Sequence, residues 1–355
     1  MSRELAFLKL DHGAPYFEVH SNAFRSVIDA MCSRGQVTRY TEAEFCVQSD
    51  GSITKSEQNH KVFKFKGIPG MYKVADALLS EADAQVHYGS LIKVISTTEN
   101  NLWNLKDKRE IDYGDFEILC VASCTVAHPR WSSTFGGTAP LIAAAEQMKI
   151  PNQNFQKALK NIAEIKAEPV TALLMAFTGE LASAWLSLQW RMLDVSRFSD
   201  VISRIHIKDL TETSDSVSNV GVVIHSTVSF GRKVVGVFGK TSTAARLGGA
   251  KHDEDSEQQI ISDMWTEMKI LLKEYKSIDS IPMNSASYGP HLHRWGAAFP
   301  GPTLLKQELA CIEDLHLIFV GDYIESQSIP ASIECAFLSA SHGARRIAEV
   351  FSSKT

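Results

Sequence analysis

The chain has 355 residues, enough for two interleaved domains around a sizeable buried core. With 44% hydrophobic and 22% charged residues it reads as soluble and globular, and a formal net charge of -5 with no basic stripe interleaved with aromatics excludes nucleic acid as an expected partner. No apolar run is long enough to span a bilayer, so no membrane partner is expected. The first ten residues, MSRELAFLKL, carry neither a signal-peptide core nor transit character, which points to a cytoplasmic location.

Phe24, Val27, Ile28 and Met31 recur at helical spacing over residues 22–31, and Gly35 follows as a stop. Residues 62–66 alternate apolar and basic positions as a strand. Gly67, Ile68, Pro69 and Gly70 then turn the chain into a helix over 71–79, and strands are predicted over 86–95, 102–105 and 116–123. The last of these contains the apolar run ILCVA, expected to be covered on both faces. Strand and helix alternation of this kind predicts an α/β architecture.

The segments at 170–177, 205–208 and 222–229 predict a mixed, mainly antiparallel sheet in the middle third. A mobile surface loop is expected over 239–255, where Gly, Ser, Thr, Ala and charge dominate. A helix resumes on Ile260, Ile261, Met264, Trp265, Met268, Leu271 and Leu272; a strand over 315–320 and an amphipathic helix over 332–351 close the chain.

Six cysteines, Cys32, Cys46, Cys120, Cys124, Cys311 and Cys335, form no CxxC pair and read as reduced thiols. His291 and His293 flank Leu292 on one strand face, but no third ligand stands nearby, so no metal is expected. GKTSTAARLGG, from Gly239, ends like a phosphate loop but lacks its first glycine, because Val234 stands there. The strongest local signal is LIFVGD followed by YIESQSIPA and a helix from Ser332. Such a strand, loop and helix offers free backbone N–H groups at a positive dipole end, with Asp322 able to accept from a hydroxyl. The ordinary alternative is a strand packed on a helix whose N-cap is Ser332.

Asp11-His12-Gly13-Ala14-Pro15-Tyr16-Phe17 resembles the DxGAxY(F/I) segment of the renalase family of FAD-dependent, amine-oxidase-like oxidoreductases. Further segments are similar in family order: GIPGM, VHYGSLIKVISTTENNLWNL, FEILCVAS, AEPVTALLMAF, VVIHSTVSFG, HLHRWGAAFP and LIFVGDYIESQSIPASIECAFLSA. The family's opening strand-GxGxxG-helix has no match in the ten residues before Asp11.

The resemblance implies a glutathione-reductase-like FAD-binding domain without its N-terminal βαβ unit, over residues 1–35, 66–130 and 310–355. Interleaved with it would be a mixed-sheet substrate domain over 36–65 and 131–309. It implies that His12, Gly13, Ala14, Pro15, Tyr16, Gly70, Met71, Leu91, Ala122, Gly321, Asp322, Ser332 and Ile333 contact FAD, and that Phe17, His225, Trp295 and Phe299 shape the substrate pocket. The implied activity is hydride transfer to FAD from a small-molecule substrate, an isomeric dihydro-NAD(P) or an amine, with reoxidation by dioxygen giving hydrogen peroxide. The alternative is a non-catalytic binding protein, or a truncated product, that has lost FAD. An uncovered edge of the parallel strands would favour self-association.

Overall fold

A computed structural model describes residues 2–5, 8–56, 62–211, 217–238, 251–326, 329 and 331–352. β1 (Ser2–Leu5) and β2 (Leu8–Asp11) form an antiparallel hairpin. β3 (Phe17–Val19) leads into α1 (Asn22–Ser33), followed by β4 (Val37–Arg39), β5 (Glu44–Val47), β6 (Ile53–Lys55), β7 (Phe63–Gly67) and α2 (Tyr72–Ser80). Next come β8 (Ile92–Thr97), β9 (Trp103–Asp107), β10 (Asp112–Phe116) and β11 (Leu119–Val121), then α3 (Trp131–Phe135), α4 (Pro140–Gln147) and α5 (Gln153–Ala163). β12 (Ala167–Thr178), α6 (Gly179–Leu186), β13 (Met192–Asp194), β14 (Ile202–Asp209), β15 (Asn219–Ser226) and α7 (Val228–Lys233) fill the middle. The chain continues through α8 (Glu254–Leu271), α9 (Lys276–Asp279), β16 (Tyr288–Pro300), β17 (Cys311–Ile312), β18 (Leu317–Phe319) and α10 (Ile333–Ser352).

Contacts divide the chain into two compact units, the first made of Met1–Val19, Ser26–Ala82 and Glu168–Ala298. Its centre is a seven-stranded sheet ordered β16-β12-β15-β14-β13-β5-β6, in which β13 and β5 run parallel while β12–β15, β15–β14, β14–β13 and β5–β6 run antiparallel. β12 is buried from Pro169 to Phe177 without a break, because both of its faces are covered. Leu173, Met175 and Phe177 join the cluster of Trp185, Ile205, Ile207, Met264 and Met268, to which α8 adds apolar residues at three- and four-residue spacing. Ala172 and Leu174, pointing the other way, pack with Leu10 and Val223. Gly221 makes room for that packing, since a Cβ there would collide with the Leu10 side chain. A small antiparallel sheet, β3-β7-β4, belongs to the same unit.

The second unit comprises His20–Arg25, Asp83–Ala167 and Phe299–Thr355. Here β11 and β18 run parallel with β17 antiparallel beside β18, next to a β8-β9-β10 meander. α4 and α5 bury Leu141, Ala144, Phe155, Ala158 and Ile162 with Trp103, Leu317 and Phe319. That packing places residues 131–163 with the parallel sheet, while residues 1–19 lie with the large sheet.

The expected α/β architecture with a mixed, mainly antiparallel sheet is present. Three local expectations change. The strand expected over 86–95 starts only at Ile92. The ILCVA strand is three residues long and buried on alternate positions, with Leu119 and Val121 inside and Cys120 exposed, so it is not covered on both faces. The strand expected to reach residue 229 ends at Ser226, because Thr227 caps α7 by accepting from the Phe230 N–H at 3.1 Å. The loop expected over 239–255 lies, up to residue 250, outside the described residues.

The short piece His20–Arg25 is tied to the second unit by one carboxylate. Glu334, in the first turn of α10 and fully buried, accepts from the backbone N–H groups of His20 at 2.7 Å and Ser21 at 2.6 Å, and Phe24 packs 5.1 Å from Phe337. Replacing Glu334 with Ala removes two charge-assisted bonds, for an expected loss of about 2–4 kcal/mol. Glu334→Gln keeps an acceptor and is expected to lose less. Urea denaturation of the two variants checks this, and equal stability of Glu334→Ala and the parent chain would refute it.

Candidate functional site

The expected site residues divide between the two units. In the first, Asp11 at the end of β2 is 6% exposed; its Oδ1 accepts from the Met71 N–H at 3.2 Å and its Oδ2 meets Lys208 Nζ on β14 at 3.1 Å. A Cβ on Gly70 would stand 3.1 Å and 3.2 Å from the two Asp11 oxygens, so the glycine lets the α2 N-terminus approach the carboxylate. Gly70 and Met71 are thereby joined to the strand that leads into His12.

His12 is buried, and its carbonyl accepts from His225 Nε2 at 3.0 Å. The His12 ring lies 4.2 Å from the His293 ring and 5.2 Å from Trp295, with His293 and Trp295 edge to face at 4.6 Å. Positions 291, 293 and 295 share one face of β16 by strand alternation, which aligns His293 and Trp295. His12 and Trp295 thus meet beside His293, and His225 joins them through the His12 carbonyl. Among the described residues no group of three or more His, Cys, Asp or Glu side chains is placed to hold a metal.

Pro15 is buried, Gly13 partly so, and Ala14 exposed. The Tyr16 hydroxyl accepts from Lys64 Nζ at 3.0 Å, Lys64 also binding Glu44 at 2.7 Å, and the Tyr16 ring lies 4.8 Å from Tyr40. Phe17 is 5% exposed and stacks 6.1 Å from its strand partner Phe65 inside the small sheet.

Burial sets the charge of the histidines on this sheet. His206 is buried on β14, and its pKa is pushed down to about 3 by desolvation, with the His225, Lys208 and Arg204 charges adding to the shift. His225 is held down to about 4, chiefly by the same cause. Both rings are neutral at pH 7. A neutral His225 that donates from Nε2 carries its lone pair on Nδ1.

In the second unit the parallel pair ends in a tight clasp. Val121 O accepts from the Val320 N–H at 3.0 Å and from the Tyr323 hydroxyl at 2.7 Å. Gly321 follows at φ 139°, a conformation that favours glycine, and a Cβ there would stand 2.8 Å from the Tyr323 ring and 3.3 Å from the Ala122 carbonyl. Ser339 of α10 holds this residue from the other side, its Oγ accepting from the Gly321 N–H at 2.8 Å and standing 3.0 Å from the Gly321 carbonyl. Asp322, next in the chain, is partly buried, and desolvation pushes its carboxyl above the usual carboxylate range. Ser332 caps α10 by accepting from the Cys335 N–H at 3.1 Å, with Ile333 opening the helix. Ala122, Gly321 and Asp322 are brought together. Leu91 precedes β8, its carbonyl accepting from the Lys108 N–H at 2.9 Å, and Phe299 is 54% exposed near the end of β16.

The site selection from sequence passed over Tyr40, Glu42, Lys66, His206 and Lys208, which share a cavity in the first unit. Their signal is the two-residue period: Arg204, His206 and Lys208 alternate with buried Ile205 and Ile207, and Lys64 and Lys66 alternate around buried Phe65.

No protein-family profile and no curated protein matches the chain. Among solved structures it is similar to putrescine oxidase. A variant from a structure-based redesign of that enzyme's cofactor binding superposes with a TM-score of 0.52 at 8% identity, covering 99% of this chain and 90% of the other. The wild-type enzyme bound to putrescine gives 0.50 at 9% identity, covering 98% and 90%. At such identity the likeness shows the fold alone, and the chain shares the fold of putrescine oxidase.

The neutral histidines fix a pH response. Their folded pKa values, about 3 for His206 and about 4 for His225, lie below the unfolded value near 6.5, so unfolding takes up protons between them. Stability from this source is complete above about pH 6.5 and is lost as pH falls toward 4, each histidine contributing a slope of up to about 1.4 kcal/mol per pH unit. Denaturation across that range checks it, with His206→Gln expected to flatten the profile; an unchanged slope would count against a neutral His206.

Proposed function

We propose that the chain is a flavin-dependent oxidoreductase of the amine-oxidase type that oxidises a small molecule, an amine or an isomeric dihydro-NAD(P). The observation that carries this reading is the unit formed by β18, Gly321, Asp322 and α10, in a chain with the putrescine oxidase fold. Ligands of parallel α/β sheets bind beyond the carboxyl ends of the strands, where helix N-termini supply free N–H groups. Gly321 and Asp322 stand at such an end, with the capped N-terminus of α10 following.

The residues present fit a dinucleotide. The absence of a side chain at Gly321 keeps the strand end narrow, and Asp322 keeps a carboxylate in a place where burial disfavours it, as expected of a group retained to accept hydroxyl donors. FAD, when bound, supplies the hydride acceptor and passes electrons to dioxygen, giving hydrogen peroxide. On this reading Ala122, Gly321, Asp322, Ser332 and Ile333, with Leu91, hold the cofactor. His225 and Trp295 shape the substrate pocket. Because His225 is neutral, it does not repel a cationic amine, and the hydrogen bond to His12 O fixes its ring.

Two tests follow. Asp322→Ala is expected to weaken FAD binding by about 1.5–3 kcal/mol, the value of one charge-assisted bond, read by quenching of flavin fluorescence. Because the folded pKa of Asp322 is raised, Asp322→Asn should stabilise the flavin-free chain at neutral pH, the gain shrinking as pH falls from the raised folded pKa toward the unfolded value near 4 and gone below it. Equal FAD affinities would remove Asp322 from the site.

The second test asks for the reaction itself. Chain incubated with FAD and freed of excess is expected to be yellow and to form peroxide with amines such as putrescine or with isomeric dihydronicotinamide dinucleotides. A folded chain that stays colourless would overturn the flavin reading and favour the non-catalytic binder.

A further inference from the structure

The first unit carries a cavity of about 160 Å³ whose charged lining the flavin reading does not use. Its polar lining is Asp11, Tyr40, Glu42, Lys66, His206 and Lys208, drawn from the end of β2, the segment after β4, β7 and β14. Pro15, Ile68 and Pro69 give the same lining its apolar part. We propose that this cavity binds a small zwitterion, an α-amino acid with an aliphatic side chain.

Charge balance comes first. Two cations, Lys66 and Lys208, and two anions, Glu42 and Asp11, line the cavity, and each cation is paired with an anion. A ligand of single charge would leave one charge of the lining uncompensated in a partly desolvated place, which is costly; a ligand carrying both signs does not.

The Lys66–Glu42 pair has capacity to spare. Lys66 has three N–H donors and bonds Glu42 Oε1, while Glu42 Oε2 is left to accept from a second donor. A carboxylate and an ammonium on one carbon complete a four-charge ring with this pair. Both side chains are partly exposed, 38% for Lys66 and 27% for Glu42, so a ligand can reach them.

The neutral groups agree. Tyr40 is 7% exposed, and its hydroxyl has no hydrogen-bond partner among the described residues, a buried polar group that the protein itself does not satisfy. Burial and the neighbouring Glu42 and Glu44 keep that hydroxyl protonated, and His206 is held neutral by its own burial. Size sets the side chain: a cavity of about 150 Å³ takes a benzene, so about six to eight heavy atoms fit here, as in alanine to valine, with the aliphatic part against Pro15, Ile68 and Pro69.

The proposal is independent of flavin, so its test needs none. Calorimetric titration of the full chain compares L-valine with isobutylamine, 3-methylbutanoic acid and 3-methylbutanamide, which remove the carboxylate, remove the ammonium and neutralise the head group. L-Valine is expected to bind at least ten-fold tighter than any of the three. No binding of L-valine to the folded chain, or equal binding of the amine, acid or amide, would overturn the proposal. Glu42→Gln, with folding checked by circular dichroism, removes the ammonium acceptor and should move the preference to the acid; an unchanged preference in a folded variant also overturns it. Tyr40→Phe should weaken L-valine several-fold if its hydroxyl is met by the ligand, and unaltered affinity would exclude that contact and the part of the argument resting on it.

Discussion

The first unit depends on the covering of β12 from both sides. A strand buried without a break from Pro169 to Phe177 needs a partner on each face. α6 and α8 help to fill one face through Trp185, Met264 and Met268, and Leu10 covers part of the other over Gly221. Once Leu10 is fixed there, the next residues are fixed as well: Asp11 meets Lys208 and the Met71 N–H, and His12 meets His225, His293 and Trp295. Packing of one leucine thus sets the place of the charged and aromatic groups that follow it.

The same sheet explains the charge state of those groups. β14 gives its Ile205 and Ile207 side to the core and its Arg204, His206 and Lys208 side to the polar groups. Cations set two residues apart on a half-buried face raise the cost of a further positive charge, and desolvation adds the larger part, so the histidines remain neutral. Neutral histidines beside paired lysines make a polar but nearly uncharged surface, suited to ligands that carry balanced charge.

In the second unit the corresponding constraint is the lack of a side chain at Gly321. The Tyr323 ring and the Ala122 carbonyl occupy the space that a Cβ would take, and Ser339 holds the backbone between them. This narrow strand end is built from residues 121, 320, 321, 323 and 339, and it leaves Asp322 partly buried with its charge disfavoured. A carboxylate kept in such a place is a cost to stability.

Periodicity alone determined much of the architecture. The helical spacing of Ile260 to Leu272, the apolar run at 170–177 and the strand, turn and helix around Gly67 to Met71 all stand in the structure, because local pattern and burial agree there. Tertiary structure decided what the pattern could not carry: that Cys120 faces out of a run that is apolar throughout, that α4 and α5 pack with the parallel strands, and that Phe17 turns into the small sheet. It also decided the partners of Asp11, Glu42 and Glu334, since an ion pair or hydrogen bond between residues tens or hundreds apart leaves no periodic trace in sequence. Side-chain spacing reports which face a residue takes; only the folded chain reports what meets it there.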